Sequence, residues 1–270
     1  MSALAFLTCH GKASAVAPAL AEQGFQVFEV SDYDTDRFGT FSRDVPRLLS
    51  VQETALAKAR LAAERGGVRY GLGSEGSFGL DPFLRAVPWA EELLCWWDSA
   101  RGYAVYARHA SSATNYAQKH VGSLPEAFAF AEKAGFPEHA LLVGRAHEPW
   151  FCKGVRALDQ LTQRVETVLA RQPSVWLETD MRAHCNPTRQ QQISQAAQAL
   201  TAKLAQHCPA CEAPGYALAH HHPGLPCEAC EAPTPIAKVQ SWLCGACGYN
   251  EEQPVAQAAA SAAHCHYCNP

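Results

Sequence analysis

Apolar and polar positions follow strand-like and helix-like patterns in turn along the first 205 residues. Residues 4–8 form a short apolar run that predicts a strand, and residues 13–23 form an alanine-rich stretch that predicts a helix ending at Gly24. Residues 25–30 alternate between apolar and polar side chains and predict a second strand. This order of strand, helix and strand is typical of an α/β fold.

The same patterns continue toward residue 205, with clear signals for helix starts. Ser50 with Glu53 three residues later forms a capping box, which predicts a helix over residues 55–65. Further strands are predicted at 68–72, 92–98, 103–109, 139–143 and 174–178, and further helices at 125–133, 158–170 and 188–205. Asn186 before Pro187 predicts the start of the last helix, because proline at the first helical position sacrifices no hydrogen bond. We therefore predict one α/β domain over residues 1–205, with a mixed sheet flanked by helices.

Eight of the twelve cysteines lie in the C-terminal segment, in four Cys-x-x-Cys pairs. The pairs are Cys208/Cys211, Cys227/Cys230, Cys244/Cys247 and Cys265/Cys268. Two such turns supply the four thiolates of a tetrahedral zinc site, so the spacing predicts a small zinc-ribbon-like module with two zinc ions over residues 206–270. Four thiolates leave no open position on the metal, and both ions are therefore expected to be structural.

Two questions about these cysteines stay open at the level of sequence. Sequential pairing of the four turns would give two stacked ribbons, whereas alternate pairing would give an interleaved module. Disulfides are the alternative use of the thiols, and a reducing compartment disfavours them.

Charge bears on the choice of partner. The chain has 22 basic and 26 acidic residues, and residues 201–270 hold two basic and five acidic ones. This balance does not favour nucleic-acid binding, and it predicts protein contact or stabilisation as the role of the cysteine module. Because no run of about 18 apolar residues and no signal-peptide pattern occurs, we predict a soluble cytoplasmic protein without a membrane partner.

Three polar segments follow predicted strands, and they are the candidate sites of chemistry. They are the loops at residues 8–12, 73–79 and 178–189. If their strands belong to one parallel sheet, the strand ends converge on a single crevice. Lys12 beside Gly11 at the start of a helix suits a phosphate group, and an ordinary turn with a surface lysine is the alternative.

Acidic residues dominate the other two segments. Glu75 lies among Gly73, Gly76 and Gly79, where the backbone can approach a ligand closely. The second group alternates in a near-extended run and would share one face of a strand; its members are Glu178, Asp180, Arg182 and His184. A charge network that ties the strand end to the next helix is the alternative to a functional role for this group.

The chain resembles an uncharacterised bacterial family, the domain-of-unknown-function 6671 family, over essentially its whole length including the cysteines. The motifs that carry this resemblance are Lys12, Asp34-Thr35-Asp36, Ser74-Glu75-Gly76-Ser77-Phe78-Gly79, Glu178-Thr179-Asp180-Met181-Arg182-Ala183-His184 and Asn186-Pro187-Thr188-Arg189. The family has no assigned activity, so this resemblance implies no mechanism.

A second resemblance covers about the first 110 residues. The order Thr8 to Lys12, then Glu53-Thr54 with Ala57-Lys58-Ala59-Arg60, then Ser74-Glu75-Gly76 is similar to the inosine/xanthosine triphosphate pyrophosphatases. That likeness implies a phosphate role for Lys12 and magnesium or base roles for Glu53 and Glu75. His10 stands where that family usually has an asparagine in the first loop.

These features lead to two hypotheses. The first is a magnesium-dependent hydrolase of a nucleotide or another phosphorylated small molecule. In it Lys12 and Arg182, together with Arg189, hold phosphate, Glu75 and Asp180 hold the metal, and His184 is the base. The second is a non-enzymatic ligand-binding or adaptor protein that contacts a protein partner through the acidic cysteine module. Convergence of Glu75, Asp180 and Lys12 in space would favour the enzyme.

Overall fold

A computed structural model of the chain describes residues 1–39, 45, 46 and 48–270. The described chain divides into two compact units, of which the first comprises residues 1–100 and 106–201 and the second residues 101–105 and 202–270. The mixed α/β class predicted from the sequence is confirmed. No helix among the described residues is both long enough and apolar enough to span a membrane.

The elements alternate along the chain as follows. They are β1 (Ser2–Leu7), α1 (Ala13–Ala21), β2 (Phe25–Val30), α2 (Val51–Gly66), β3 (Tyr70–Leu80), β4 (Pro88–Asp98), β5 (Tyr103–Ser111), β6 (Gln118–Val121), α3 (Leu124–Ala134), β7 (Leu141–Val143), β8 (Cys152–Val155), α4 (Leu158–Leu169), β9 (Val175–Thr179), α5 (Pro187–Leu204), β10 (Ala217–Pro223), β11 (Ala237–Leu243) and β12 (Asn250–Pro254). Short 3₁₀ turns lie at Thr35–Phe38, Ala183–Cys185 and Ala262–His264.

Within the described residues, five strands form a mixed sheet in the order β2-β1-β3-β4-β5. Strand β1 runs parallel to β2 and β3, while β3 and β4 are antiparallel. Helix α2 packs on β3, and its face toward the sheet is built from small buried residues such as Ala55, Ala59 and Ala62. Those small side chains let the helix backbone approach the sheet closely.

The segment from Gly73 to Gly79 is part of strand β3, so the prediction of a loop there is wrong. Antiparallel pairing with β4 continues without a break from Tyr70↔Asp98 to Leu80↔Pro88. Glycine weakens a strand in isolation, but its lack of a side chain permits a close approach by another element. The ladder to β4 and the packing of α2 therefore override the local signal.

A second sheet within the first unit has the strand order β6-β9-β7-β8 among the described residues. Each neighbouring pair of strands in this sheet is antiparallel. Helices α3 and α4 cover it. Their apolar faces share one core with the sheet, which includes Val121, Phe130, Leu161, Val165 and Leu177. This core is held by ordinary burial of aliphatic side chains, at about 25 cal/mol per Å² of apolar surface.

The candidate loops therefore follow strands of different sheets. The loop at residues 8–12 follows β1 of the first sheet, and the segment from Asp180 to Arg182 follows β9 of the second. The condition that these strands share one parallel sheet is not met, because β9 belongs to the second sheet and pairs antiparallel with both neighbours. The extended face predicted for residues 178–184 also ends early, since β9 stops at Thr179 and a 3₁₀ turn follows at Ala183.

Two helix starts follow the sequence signals closely. The side chain of Ser50 accepts from the backbone N–H of Glu53, and the Glu53 carboxylate accepts from the backbone N–H of Ser50 at 2.9 Å, which completes the capping box of α2. Asn186 accepts from the N–H of Arg189 at 3.0 Å and caps α5, whose first residue is Pro187. The second cap fixes where Arg189 emerges.

Candidate functional site

Lys12 occupies the N-cap position of α1, directly after the loop that follows β1. Its side chain turns inward, is only 7% exposed, and donates a hydrogen bond from Nζ to Ser74 Oγ at 2.8 Å. Burial, and next the positive charge of Arg189, lower the pKa of Lys12 from 10.5 to about 7. The amine of Lys12 therefore changes its protonation state near neutral pH.

Ser74 and Glu75 lie in the part of β3 that extends beyond the end of its parallel neighbour, β1. The last pair between β1 and β3 is Phe6↔Leu72, whereas β3 continues beside β4 to Leu80. The β1-facing edge of β3 is therefore no longer paired with that strand at Ser74 and Glu75. Successive strand residues point to opposite faces of the sheet. Ser74 and Glu75 nevertheless both line one cleft, because the cleft lies at this edge of β3.

Glu75 forms a buried ion pair with Lys58 of α2. The pair depends on how closely α2 approaches β3, since a Cβ atom at Gly71 or Gly73 would collide with the carbonyl oxygen of Ala59 or Ala55. Small residues on both elements thus bring the Lys58 ammonium to the Glu75 carboxylate. Lys58 was not a site candidate in the sequence hypothesis. The Ala57-Lys58-Ala59-Arg60 motif, which is similar to the pyrophosphatases, is the signal that could have found it.

The end of β9 supplies a carboxylate and a guanidinium that hold each other. Arg182 donates from Nη2 to Asp180 Oδ2 at 2.6 Å and from Nε to Oδ1 at 3.0 Å. The Asp180 side chain is almost fully buried, which by itself raises its pKa, but the hydrogen bonds and charge of Arg182 outweigh burial and lower it. Asp180 is therefore ionised at neutral pH and fixes the orientation of Arg182.

Arg189 enters the same cleft from the first turn of α5. Its guanidinium donates from Nε to Glu92 Oε1 at 2.7 Å and also donates to the carbonyl oxygen of Met181. Glu92 is fully buried on β4 and was missed by sequence reasoning. A glutamate inside the mostly apolar run from Ala90 to Trp97 is the signal that would have found it, because a buried carboxylate needs a cationic partner.

These side chains converge on one cleft of the first unit, whose empty space is about 740 Å³ when the solvent at its mouth is included. Among the described residues, the cationic side chains that line it are Lys12, Lys58, Lys153, Arg182 and Arg189, and the carboxylates are Glu75, Glu178 and Asp180. Positive groups therefore outnumber negative ones in the lining. Glu75, Asp180 and Lys12 all line this cleft.

His184 lies beside the cleft in a ring stack with His10, with the ring centroids 5.0 Å apart. His10 lines the cleft, whereas His184 is not among the residues that line it. Burial, then the nearby charges of His10 and Arg182, lower the pKa of His184. His184 is accordingly neutral at pH 7.

Within the part of the chain that the structure describes, the groups of three or more metal-binding side chains are cysteine tetrads. Glu75 and Asp180 are instead each bound to a cation, Lys58 and Arg182. Magnesium is commonly held by one or two carboxylates together with substrate phosphates, so a preformed set of three is not required for it.

The second unit, which the structure describes throughout, contains the antiparallel sheet β10-β11-β12 and two cysteine tetrads. One tetrad comprises Cys208, Cys211, Cys244 and Cys247, and the other Cys227, Cys230, Cys265 and Cys268. The pairing is therefore alternate, and the module is interleaved. Within each tetrad the sulfur atoms all lie within 4.8 Å of one another.

The sulfur separations match those around a tetrahedral metal ion. They are 3.8 Å for Cys208 and Cys247, 3.7 Å for Cys211 and Cys244, 3.9 Å for Cys227 and Cys268, and 3.6 Å for Cys230 and Cys265. A tetrahedron with zinc–sulfur bonds of about 2.3 Å has edges of about 3.8 Å. A disulfide needs about 2.05 Å, and all these cysteines are free thiols. Both tetrads are thus positioned to bind metal ions, consistent with zinc.

The same turn recurs at each Cys-x-x-Cys pair. The residue after the second cysteine donates its N–H to the carbonyl oxygen of the first, at 2.8–3.0 Å. The donors are Glu212, Glu231, Gly248 and Asn269. This turn holds both sulfurs of each pair on one side, as a metal site requires.

The fold and these sites define an α/β protein with two metal-binding cysteine tetrads. The chain belongs to the family described as Domain of unknown function (DUF6671), whose model matches residues 58–270. This confirms the family predicted from the sequence motifs. No curated protein and no solved structure matches the chain. The likeness of the first 110 residues to the pyrophosphatases stays a prediction.

Proposed function

We propose that the cleft of the first unit binds and hydrolyses a phosphorylated small molecule such as a nucleotide. The observation that carries this proposal is the convergence of cationic side chains from separate elements on one cleft, with Lys12 and Arg189 almost fully buried. Glu92 offsets the charge of Arg189, whereas Lys12 donates to the neutral hydroxyl of Ser74, so its ammonium favours an added negative charge in the cleft. A phosphate supplies that charge and several acceptor oxygens.

Arg182 and Lys12 are the proposed phosphate-binding residues at the two sides of the cleft. The hydrogen bonds from Arg182 to Asp180 orient a planar guanidinium, which suits the geometry of a phosphate. Lys12 supplies a point charge when it is protonated. Arg189, held by Glu92, adds a positive charge. Its attraction for an anion is stronger because the site is buried.

Glu75 and Asp180 serve in this proposal to hold Lys58 and Arg182 in place. Magnesium enters the proposal together with the substrate phosphates, which commonly bring this ion into such sites. His184, neutral at pH 7, stays the proposed base and would act at the side of the cleft that His10 lines.

The ions in the two tetrads are proposed to be zinc with a structural role. Four thiolates complete a tetrahedral shell and leave no position for water or substrate. Each site also carries a formal charge of about −2, which keeps the acidic second unit unattractive to nucleic acid and suited to a protein partner.

The test is a turnover screen of the full-length protein against a panel of nucleotides and sugar phosphates, with and without magnesium. Wild-type protein should release phosphate or pyrophosphate, and Arg182→Lys should raise KM because the fixed guanidinium is lost. Asp180→Asn tests the carboxylate that orients Arg182. Its matched control is Asp159→Asn, at an exposed position on α4. His184→Gln tests the base.

Binding without turnover on every member of the panel would overturn hydrolysis and favour the ligand-binding hypothesis. Neither binding nor turnover, from folded protein with its metal content intact, would overturn the phosphate site itself. Metal analysis of the same preparation checks the zinc assignment.

A further inference from the structure

The hydrogen bond between Lys12 and Ser74 joins an amine and a hydroxyl at the floor of the cleft. Both residues line the cleft, and Ser74 is 2% exposed. Their Nζ–Oγ separation of 2.8 Å is within the range over which a base removes a proton from a nucleophile. A lysine that serves only as an ion-pair partner would be expected beside a carboxylate.

The surroundings of Lys12 favour an amine that can accept a proton. Burial removes the water that would stabilise the ammonium, and the positive charges of Arg189 and Lys58 disfavour it further. Together these effects outweigh the opposing charges of Glu92 and Glu75. With a pKa of about 7, a substantial fraction of Lys12 is neutral at physiological pH. Unperturbed lysine, with a pKa near 10.5, is almost fully protonated there and is a poor base.

Ser74 lines the cleft at a point where β3 has lost its pairing with β1. Ser74 lies two residues past the last β1–β3 pair, at Leu72, so β1 no longer covers that edge of β3. Lys12 contacts Ser74, and the other cationic residues that line the same cleft are suited to stabilise negative charge on a phosphoryl group.

We propose that Ser74 is the nucleophile of the reaction and that Lys12, in place of His184, is the general base, so that hydrolysis passes through a phosphoserine. This inference rests on the proposed phosphate hydrolysis. Neutral Lys12 takes the proton from Ser74 Oγ, an Oγ–P bond forms, and the bond from phosphorus to the leaving-group oxygen breaks with both electrons passing to that oxygen. The ammonium of Lys12 then gives its proton to the leaving group.

Water completes the cycle. Lys12, neutral again, takes a proton from a water molecule whose oxygen attacks phosphorus, and the Oγ–P bond breaks. The proton passes from Lys12 to Ser74 Oγ, which restores the resting pair and releases phosphate. No oxidant, reductant or further co-reactant is needed.

The first measurement is acid-quenched turnover followed by mass spectrometry of peptides from the full-length protein. A phosphoryl group on Ser74 during turnover is the expected result. Ser74→Ala should bind substrate but lose turnover by at least about 10²-fold. Ser77→Ala is the matched control, since it removes a hydroxyl from the same strand outside the cleft lining and should keep wild-type turnover.

Lys12→Arg separates a base from a binding charge. Arginine keeps the positive charge but does not deprotonate, so a base role predicts a fall in kcat of about 10²–10⁴-fold with a small change in KM. A role confined to phosphate binding predicts the reverse, a raised KM with kcat kept. Circular dichroism and metal content verify the fold of each variant, and Ser74→Cys, which keeps a nucleophile, should retain partial turnover.

The outcomes distinguish this inference from the function on which it rests. Wild-type turnover that persists in Ser74→Ala would overturn the nucleophile and leave hydrolysis standing. Loss of activity in Ser74→Ala together with an unaltered kcat in Lys12→Arg would overturn the base. Absence of turnover in the wild-type protein would overturn the proposed function and this inference with it.

Discussion

Glu92 and Arg189 form an ion pair whose two side chains are withdrawn from solvent, with 0% and 1% of their side-chain surface exposed. The pair joins β4 to the first turn of α5. Because Arg189 also donates to the Met181 carbonyl, it ties both elements to the segment that carries Asp180 and Arg182. The position of Arg182, the proposed phosphate-binding residue, thus depends on the buried contact of Arg189 with Met181.

Removing one member of this pair should destabilise the first unit strongly. We expect Arg189→Leu to lower the free energy of unfolding by about 3–5 kcal/mol, because the Glu92 carboxylate is left buried without its charge partner. Urea denaturation measures the loss. The double variant Arg189→Leu with Glu92→Leu removes both charges and should be less destabilised than Arg189→Leu alone. If it is more destabilised, the pair itself is the source of stability.

The close packing of α2 on β3 gives a second prediction. Gly73→Ala should destabilise the protein by about 1–3 kcal/mol or more, because the new Cβ would collide with the Ala55 carbonyl of the helix backbone. Gly79→Ala is the matched control, since nothing lies within 4 Å of a Cβ there. Thermal unfolding of the two variants side by side is the measurement, and equal melting temperatures would contradict this account of the helix–strand contact.

The low pKa of Lys12 predicts how stability depends on pH. Between pH 7 and 10.5 the unfolded chain keeps this lysine protonated while the folded chain releases the proton, so the unfolded state binds more protons. The free energy of unfolding contributed by Lys12 therefore rises with pH across this window. Below about pH 7 both states are protonated, and the contribution is constant.

Lys12→Met isolates this effect, because other titrating groups, including the cysteines, are shared with the wild-type protein. We expect the wild type to gain about 2 kcal/mol relative to the variant between about pH 7.5 and 9.5. Urea denaturation at both pH values gives the difference. Parallel pH curves for the two proteins would mean that Lys12 has an ordinary pKa in the folded state.

The interleaved tetrads predict an unusual pattern of metal loss. Cys211→Ser with Cys244→Ser should remove one bound ion per chain, because both cysteines belong to the same tetrad. Cys211→Ser with Cys230→Ser should remove both ions. Sequential pairing would reverse these two results, so metal analysis of the two double variants decides between the pairings.

Local sequence signals predicted much of this fold because they are physically local. The capping box at Ser50 and Glu53 and the cap formed by Asn186 need only a few neighbouring residues, and both helices begin as expected. The continuation of β3 through Gly73 to Gly79 was missed because it depends on β4, a partner further along the chain. Glycine content alone favours a loop there.

The candidate cleft was only partly predictable for the same reason. Lys12, Glu75 and Asp180 were identified by type and loop position, and the structure brings them together. A shared cleft was expected on the condition that their strands form one parallel sheet, whereas strands of two sheets supply it. Lys58 and Glu92 act through partners 17 and 97 residues away in sequence, and no spacing rule connects residues that far apart.

The alternate arrangement of the tetrads also has a consequence during synthesis of the chain. Once Cys230 has left the ribosome, two half-sites are present, and neither has its native partner until Cys244 and then Cys265 follow. In that interval Cys208, Cys211, Cys227 and Cys230 offer four thiolates to a single ion in a pairing that the finished protein does not use. A metal captured so early must change ligands before the native module can form.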